Sequence, residues 1–257
     1  MTEAARLGAA LLGVLCSVVA GGQLTGRQVM EKARQVNQPD DETVVAEMTL
    51  AQEGGRKVRR VFRLEYLRGD DGLDRMLIRF FYPRRMKGTG LLTIERKGRP
   101  DDQWLYLPSL RRIRRIATNA RTERFVQSDF TYEDLQPEDL DDNDYELLGT
   151  AEVDGRKCYL VKARPKSQSA YAWREIAVDC ERWLPLQTKY FASDGKCVKT
   201  QKASGVRQHA GRYWRADRIE MKDHQRRHST VLSIKERAIN TGVPASHFTT
   251  RFLGEGK

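Results

Sequence analysis

From residue 42 onward the sequence alternates apolar and polar positions with a period of two, and Gly- and Asp-bearing turns interrupt it at short intervals. This pattern restricts the chain to antiparallel β structure. Val44, Ala46, Met48 and Leu50 oppose Val45, Glu47, Thr49 and Ala51. Glu53-Gly54-Gly55-Arg56 reverses the chain, and Val58, Arg60, Phe62, Leu64 and Tyr66 then alternate with Arg59, Val61, Arg63, Glu65 and Leu67. Asp70-Asp71-Gly72 and Lys87-Gly88-Thr89-Gly90 set off the segments 73–83 and 91–98. The second half repeats the style, with Asp154-Gly155 and Asp194-Gly195 as further hairpin turns. The count is roughly ten to twelve strands, too many for a flat sheet, so a barrel, half-barrel or sandwich is expected. Helix is predicted near residues 25–37, where Thr25 can cap and Val29, Ala33 and Val36 share one face. Residues 131–140 are a second helical candidate.

The first 20 residues carry a different signal. Arg6 precedes an apolar run from Leu7 to Ala20, and Val18-Val19-Ala20 offers small residues for cleavage. The run is short against the roughly 20 apolar residues of a spanning helix, so 1–20 reads as an export signal and 21–257 as one domain. Cleavage removes one Arg and one Glu and leaves the formal charge of +11 unchanged. An exported chain rarely meets nucleic acid, so this basicity points elsewhere, to an anionic lipid or an acidic surface. Cys158, Cys180 and Cys197 remain after cleavage, without a CxxC pair. If strands 158–165 and 172–180 pair through their loop, Cys158 and Cys180 lie at one end within disulfide reach; buried free thiols are the alternative.

Catalytic and metal-binding patterns are thin. Gly88-Thr89-Gly90 leads into a strand and is a turn. His224 and His228 are spaced for a helix, yet they lie in a strand-turn-strand segment, where four residues span about 13 Å. Asp129, Glu133 and Asp134 form a carboxylate cluster that could serve acid-base chemistry, but no nucleophile accompanies them. No cofactor motif appears.

The most distinctive block is 102–135. Trp104-Leu105-Tyr106-Leu107-Pro108 leads into the basic run Arg111-Arg112-Ile113-Arg114-Arg115-Ile116, which periodicity fits equally to strand or helix. Ser128-Asp129-Phe130-Thr131-Tyr132-Glu133-Asp134-Leu135 follows. In these three stretches the chain resembles the outer-membrane lipoprotein-sorting family, relatives of the periplasmic lipoprotein carrier (LolA-like). The resemblance implies a mainly β fold, a strongly curved antiparallel half-barrel with a few short covering helices around an apolar cavity. It implies a periplasmic carrier, not an enzyme, that holds acyl chains of lipoprotein or lipid and exchanges them with an inner-membrane exporter and an outer-membrane acceptor. A monomer without cofactor or nucleic-acid partner is expected. The alternatives are an envelope sensor or assembly protein of the same fold, binding lipoprotein or lipopolysaccharide, and a hydrolase using Asp129 and Glu133.

On this reading the inward-facing cavity residues are Phe62, Leu64, Ile78, Phe80, Trp104 and Tyr106, where burial of acyl chains yields about 0.8 kcal/mol per CH₂. Arg112, Arg114 or Arg115 is expected to pair with Asp129, Glu133 or Asp134 and latch segment 125–140 over the cavity.

Overall fold

The computed structural model describes residues 24–256 apart from 53 and 138; the predicted export signal lies outside the described residues. The strands are β1 (Asp41–Gln52), β2 (Val58–Arg68), β3 (Asp74–Tyr82), β4 (Gly90–Ile94), β5 (Asp102–Leu107), β6 (Arg112–Arg115) and β7 (Asn143–Val153). They continue as β8 (Arg156–Pro165), β9 (Trp173–Asp179), β10 (Pro185–Phe191), β11 (Cys197–His209), β12 (Tyr213–Asp223) and β13 (His228–Ile239). All 13 form one antiparallel sheet in the order β6-β5-β4-β3-β2-β1-β13-β12-β11-β10-β9-β8-β7. The arginine run resolves as the short edge strand β6, which takes the total beyond the expected ten to twelve.

The first and last strands of this order, β6 and β7, are consecutive in the chain. The sheet is not closed, so the connection between them has to travel from one edge to the other. Segment 116–142 makes that crossing over the concave face, built from single 3-10 turns at Thr118–Ala120, Phe125–Gln127, Glu133–Leu135 and Leu140–Asp142. The helix expected over 131–140 does not form. Pro137 disfavours helical geometry at its predecessor and breaks the segment into separate turns.

Helix α1 (Gly26–Asn37) begins with a reciprocal cap, Gln28 N–H donating to Thr25 Oγ1 at 3.2 Å and Thr25 N–H to Gln28 Oε1 at 2.8 Å. Its buried residues Val29, Met30 and Ala33 pack on Val161, Ala163, Ile176 and Val178 of β8 and β9. Gly26 approaches β7 so closely that a Cβ there would stand 2.7 Å from the Glu146 carbonyl carbon, which is why the helix starts on a glycine. The short helix α2 (Thr250–Glu255), capped by Thr249 Oγ1, lays Leu253 and Phe252 against the opposite, convex face of β3–β5.

Candidate functional site

Register fixes which side chains face the concave side. Ala46 pairs with Phe62 and Phe62 with Phe80; Leu64 pairs with Ile78, Ile78 with Leu91, and Leu91 with Leu105. These residues, with Val44, Met48 and Leu50, form one buried apolar cluster. Four residues of the predicted cavity set, Phe62, Leu64, Ile78 and Phe80, therefore share this face. Trp104 and Tyr106 do not. Side chains alternate along β5, so Leu105 and Leu107 point into the concave cluster while Trp104 and Tyr106 pack outside with Leu77, Leu92 and Leu253.

The crossing segment fills the hollow with its own side chains. Ile116, Ala120, Phe125 and Tyr132 belong to the same cluster as the sheet residues. Ring contacts run unbroken from sheet to lid: Phe62 to Phe80 at 5.6 Å, Phe80 to Phe125 at 5.8 Å, and Phe125 to Tyr132 at 5.7 Å. Phe130 joins Tyr171, Tyr190, Val198 and Met221 on the far half of the sheet.

Polar groups on the concave face hold this lid by its backbone. Arg60 Nη1 donates to the Val126 carbonyl at 2.5 Å, and Gln103 Nε2 donates to the Tyr132 carbonyl at 3.0 Å. Lys199 Nζ donates to the Asp129 carbonyl at 2.8 Å and to the Tyr171 hydroxyl at 2.9 Å. Arg60 is 95% withdrawn from solvent and has no carboxylate partner among the described residues. Burial, with the nearby charge of Arg85, pulls its pKa below the usual arginine value. At the lid tip Val126 and Gln127 both adopt left-handed backbone, φ 42° and 64°, a geometry that costs a non-glycine residue about 1–3 kcal/mol.

The predicted latch is built from other partners. Asp129 is fully buried and accepts hydrogen bonds from Thr230 Oγ1 at 2.6 Å and His228 Nδ1 at 2.6 Å, with Arg226 Nη1 at 3.5 Å. Asp134 accepts from the Thr131 amide at 2.7 Å and the Tyr171 hydroxyl at 3.0 Å. Glu133 accepts from the Ser169 hydroxyl and, at 2.9 Å, from the Ala170 amide. None of the three meets the arginine run. Arg115 pairs with Asp102 at 2.5 Å, and Arg112 and Arg114 stand exposed on the edge strand without a carboxylate partner among the described residues. The reason is topological: β6 is one edge of the sheet, and the chain has already crossed to β13 by residue 129. These carboxylates are engaged as anchors of the lid.

Cys158 and Cys180 are free thiols, the alternative that the sequence left open beside a disulfide. Cys158 pairs in register with Asp179, so Cys180 stands one residue out of step with it. His224 Nε2 lies 2.8 Å from Thr200 Oγ1, and no metal-binding cluster occurs among the described residues.

Cavities remain beside the lid, among them one of about 260 Å³ at its start, between Asp101, Arg115, Ile116 and Arg121, and two larger ones. One, of about 310 Å³, lies between α1 and the sheet and is lined by Met30, Ala33, Leu140 and Trp183 on one side and by Arg34, Glu42, Tyr66, Asp74 and Arg215 on the other. The second, of about 270 Å³, runs under the lid past Glu133, Asp134, Tyr171 and Tyr190. Met30 and Pro185 border both. Each is at or below the small end of ligand pockets, about 300–1,000 Å³, because the lid aromatics occupy the rest of the hollow.

An open, curved antiparallel sheet with its edge-to-edge crossover folded into the concave side defines a LolA-like half-barrel. Residues 72–255 match the model of a DUF1329-like family described as uncharacterized protein, and the chain belongs to that family. Among solved structures it is similar to a Vibrio parahaemolyticus domain described as an outer membrane lipoprotein-sorting protein, at 27% identity and TM-score 0.85 over 89% of this chain and 98% of that one. A DUF1329 family protein from Desulfovibrio piger matches at 27% identity and TM-score 0.84, over 89% and 97% of the two chains. A LolA superfamily protein from Nitrosomonas europaea shares the fold at 18% identity and TM-score 0.72, over 90% and 100%. No curated protein matches the chain. No helix among the described residues is long and apolar enough to cross a membrane.

Proposed function

We propose that the protein is a periplasmic carrier that holds acyl chains of a lipid or lipoprotein against the concave face of β1–β5, in the space the lid aromatics now fill. One observation carries the reading. The lid seats Phe125 and Tyr132 in an apolar hollow and is tied there by polar contacts, through its backbone carbonyls at Val126, Asp129 and Tyr132 and its carboxylates at Asp129, Glu133 and Asp134. Such a plug can be exchanged for another apolar occupant without unfolding the sheet. The lipoprotein-sorting description of the Vibrio parahaemolyticus domain supports the same class of cargo. On this reading residues 1–20 direct export, 21–257 act as one monomeric domain without a cofactor, and an inner-membrane exporter and an outer-membrane acceptor are the partners.

Mass spectrometry of organic extracts from protein purified without detergent tests the proposal. Co-purifying acyl lipid is expected, with more from an Arg60→Met variant whose lid is less firmly held. Absence of lipid from both proteins, together with no uptake of a fluorescent fatty-acid probe, would refute it.

A further inference from the structure

Antiparallel order places the β1–β2, β3–β4, β5–β6 and β12–β13 turns at one end of the sheet. That rim is strongly basic. Arg56 and Lys57 lie on the first turn, Arg84, Arg85 and Lys87 on the second, and Arg111 and Arg112 on the third, all exposed. None of these has a carboxylate partner among the described residues. The opposite rim carries cations too, but most of its arginines are paired: Arg75 with Asp71, Arg96 and Arg99 with Asp102, Arg156 with Asp179 and Glu181. Lys97 and Arg212 there have no carboxylate partner among the described residues. Unneutralised charge is thus denser at the first end, with seven such cations on three neighbouring turns.

Large apolar side chains surface at the same end. Leu110, at the tip of the β5–β6 turn, is 62% exposed, and Tyr82 and Phe81, beside the β3–β4 loop, are 48% and 39% exposed. Arg59 and Arg63 stack their guanidinium groups over these two rings at 5.5 and 5.7 Å. A surface evolved only for solubility would not place its most exposed leucine among its free arginines. Basic side chains interleaved with an exposed tyrosine and leucine suit the headgroup layer of a bilayer, where cations meet lipid phosphate and amphipathic rings sit at the interface.

We infer that this rim is a docking surface for an anionic phospholipid membrane, with Leu110 and Tyr82 entering the headgroup layer and Arg84, Arg85, Arg111 and Arg112 meeting lipid phosphates. An acidic protein could satisfy the charge, but it gives no reason for an isolated leucine at a turn tip, so the membrane is the occupant the observations favour. The lid tip lies at this end as well, since Val126 is held by Arg60 near the start of β2 and Asp129 by the β12–β13 hairpin. Docking therefore presents the lid to the bilayer.

The experiment uses the chain from residue 21, which carries every described element, in flotation with phosphatidylcholine vesicles prepared with or without phosphatidylglycerol. The expected result is flotation with the anionic vesicles only, lost as salt is raised to about 0.5 M, where the screening length falls to a few ångströms. Each arginine near an anionic surface is worth about fivefold in partition. The combined Arg84→Ser, Arg85→Ser, Arg111→Ser and Arg112→Ser variant should thus lose more than about tenfold. A Leu110→Ser, Tyr82→Ser variant should weaken binding at low salt, whereas Lys97→Ser with Arg212→Ser, on the other rim, should leave it intact. Equal binding to neutral vesicles, no binding by the wild-type chain, or full binding by the four-serine variant would each overturn the inference. An acidic protein partner would leave the vesicles unbound and so falls under the second outcome. The wild-type salt dependence reads the proposal without any substitution. No acyl chain is transferred in this assay, so it can fail while the carrier reading stands, and the reverse.

Discussion

Replacing Arg60 by methionine separates the lid from the sheet beneath it. Arg60 is a buried cation beside Met48 and Phe62 with one hydrogen bond, to the Val126 carbonyl, and its Nε has no partner. A hydrogen bond from a charged donor contributes about 1.5–3 kcal/mol, so the variant should favour lid opening by that amount, roughly a 10- to 150-fold rise in the open fraction. The sheet should respond differently. Removing a buried, unpaired charge in favour of an apolar chain of similar length is commonly neutral or stabilising, so the global unfolding midpoint should stay or rise. Native-state hydrogen exchange distinguishes the two responses. The amides of Phe125, Ser128 and Tyr132, bonded to Phe130, Phe125 and Glu123, should exchange faster, while ladder amides of β1–β3 keep their protection. Equal loss of protection in lid and sheet would refute the reasoning, as would unchanged lid exchange.

Phe80→Ala, at a fully buried ring on the concave face, should cost about 3–5 kcal/mol in denaturant unfolding. Leu253→Ala, equally buried on the convex face, should cost about 2–5 kcal/mol and leave acyl-probe uptake unchanged once the protein is folded. Burial pushes the Asp101 carboxyl up to about 6, against a hydrogen bond from the Arg96 amide that lowers it. The folded state therefore binds the extra proton, and this group's contribution to stability should fall as pH rises from about 4 to 6. Asp101→Asn should flatten that slope in urea titrations across the window. Alkylation under non-reducing conditions should label Cys158, Cys180 and Cys197 as thiols, with Cys158 slow at pH 8 because burial lifts its pKa to about 11.

What could be read from sequence was what is local. Alternation with Asp-Gly turns specified hairpins, and Thr25 specified the start of α1, because each depends on residues a few positions apart. Faces were harder to assign. On β5 both parities are apolar, Trp104 and Tyr106 against Leu105 and Leu107, and the choice between them is made by α2, whose six residues give no periodic signal. Gln103, on the inner parity, was hidden for the same reason. The latch went wrong through an assumption that neighbours in sequence are neighbours in space. Thirteen residues lie between Arg115 and Asp129, and across them the chain leaves an edge strand and reaches the middle of a 13-stranded sheet.

The lid anchors also constrain what can replace the lid. Arg60, Gln103, Lys199 and Thr230 all project from the concave face and donate to lid carbonyls or the Asp129 carboxylate. A purely hydrocarbon occupant would gain the apolar surface vacated by Phe125 and Tyr132 but strip those donors, at about 1–3 kcal/mol for each one left buried without a partner. Two such losses offset about four buried methylenes at 0.8 kcal/mol each. An occupant that brings carbonyl or phosphate oxygens avoids this cost, because Arg60 and Lys199 can pass from the lid backbone to it. Palmitate methyl ester and hexadecane, matched in chain length, test the difference by competition against a fluorescent acyl probe. The ester should displace the probe more strongly in the wild-type protein, and the gap should narrow in Arg60→Met. Equal displacement by both compounds in the wild type would mean that the inner polar groups serve the closed lid alone.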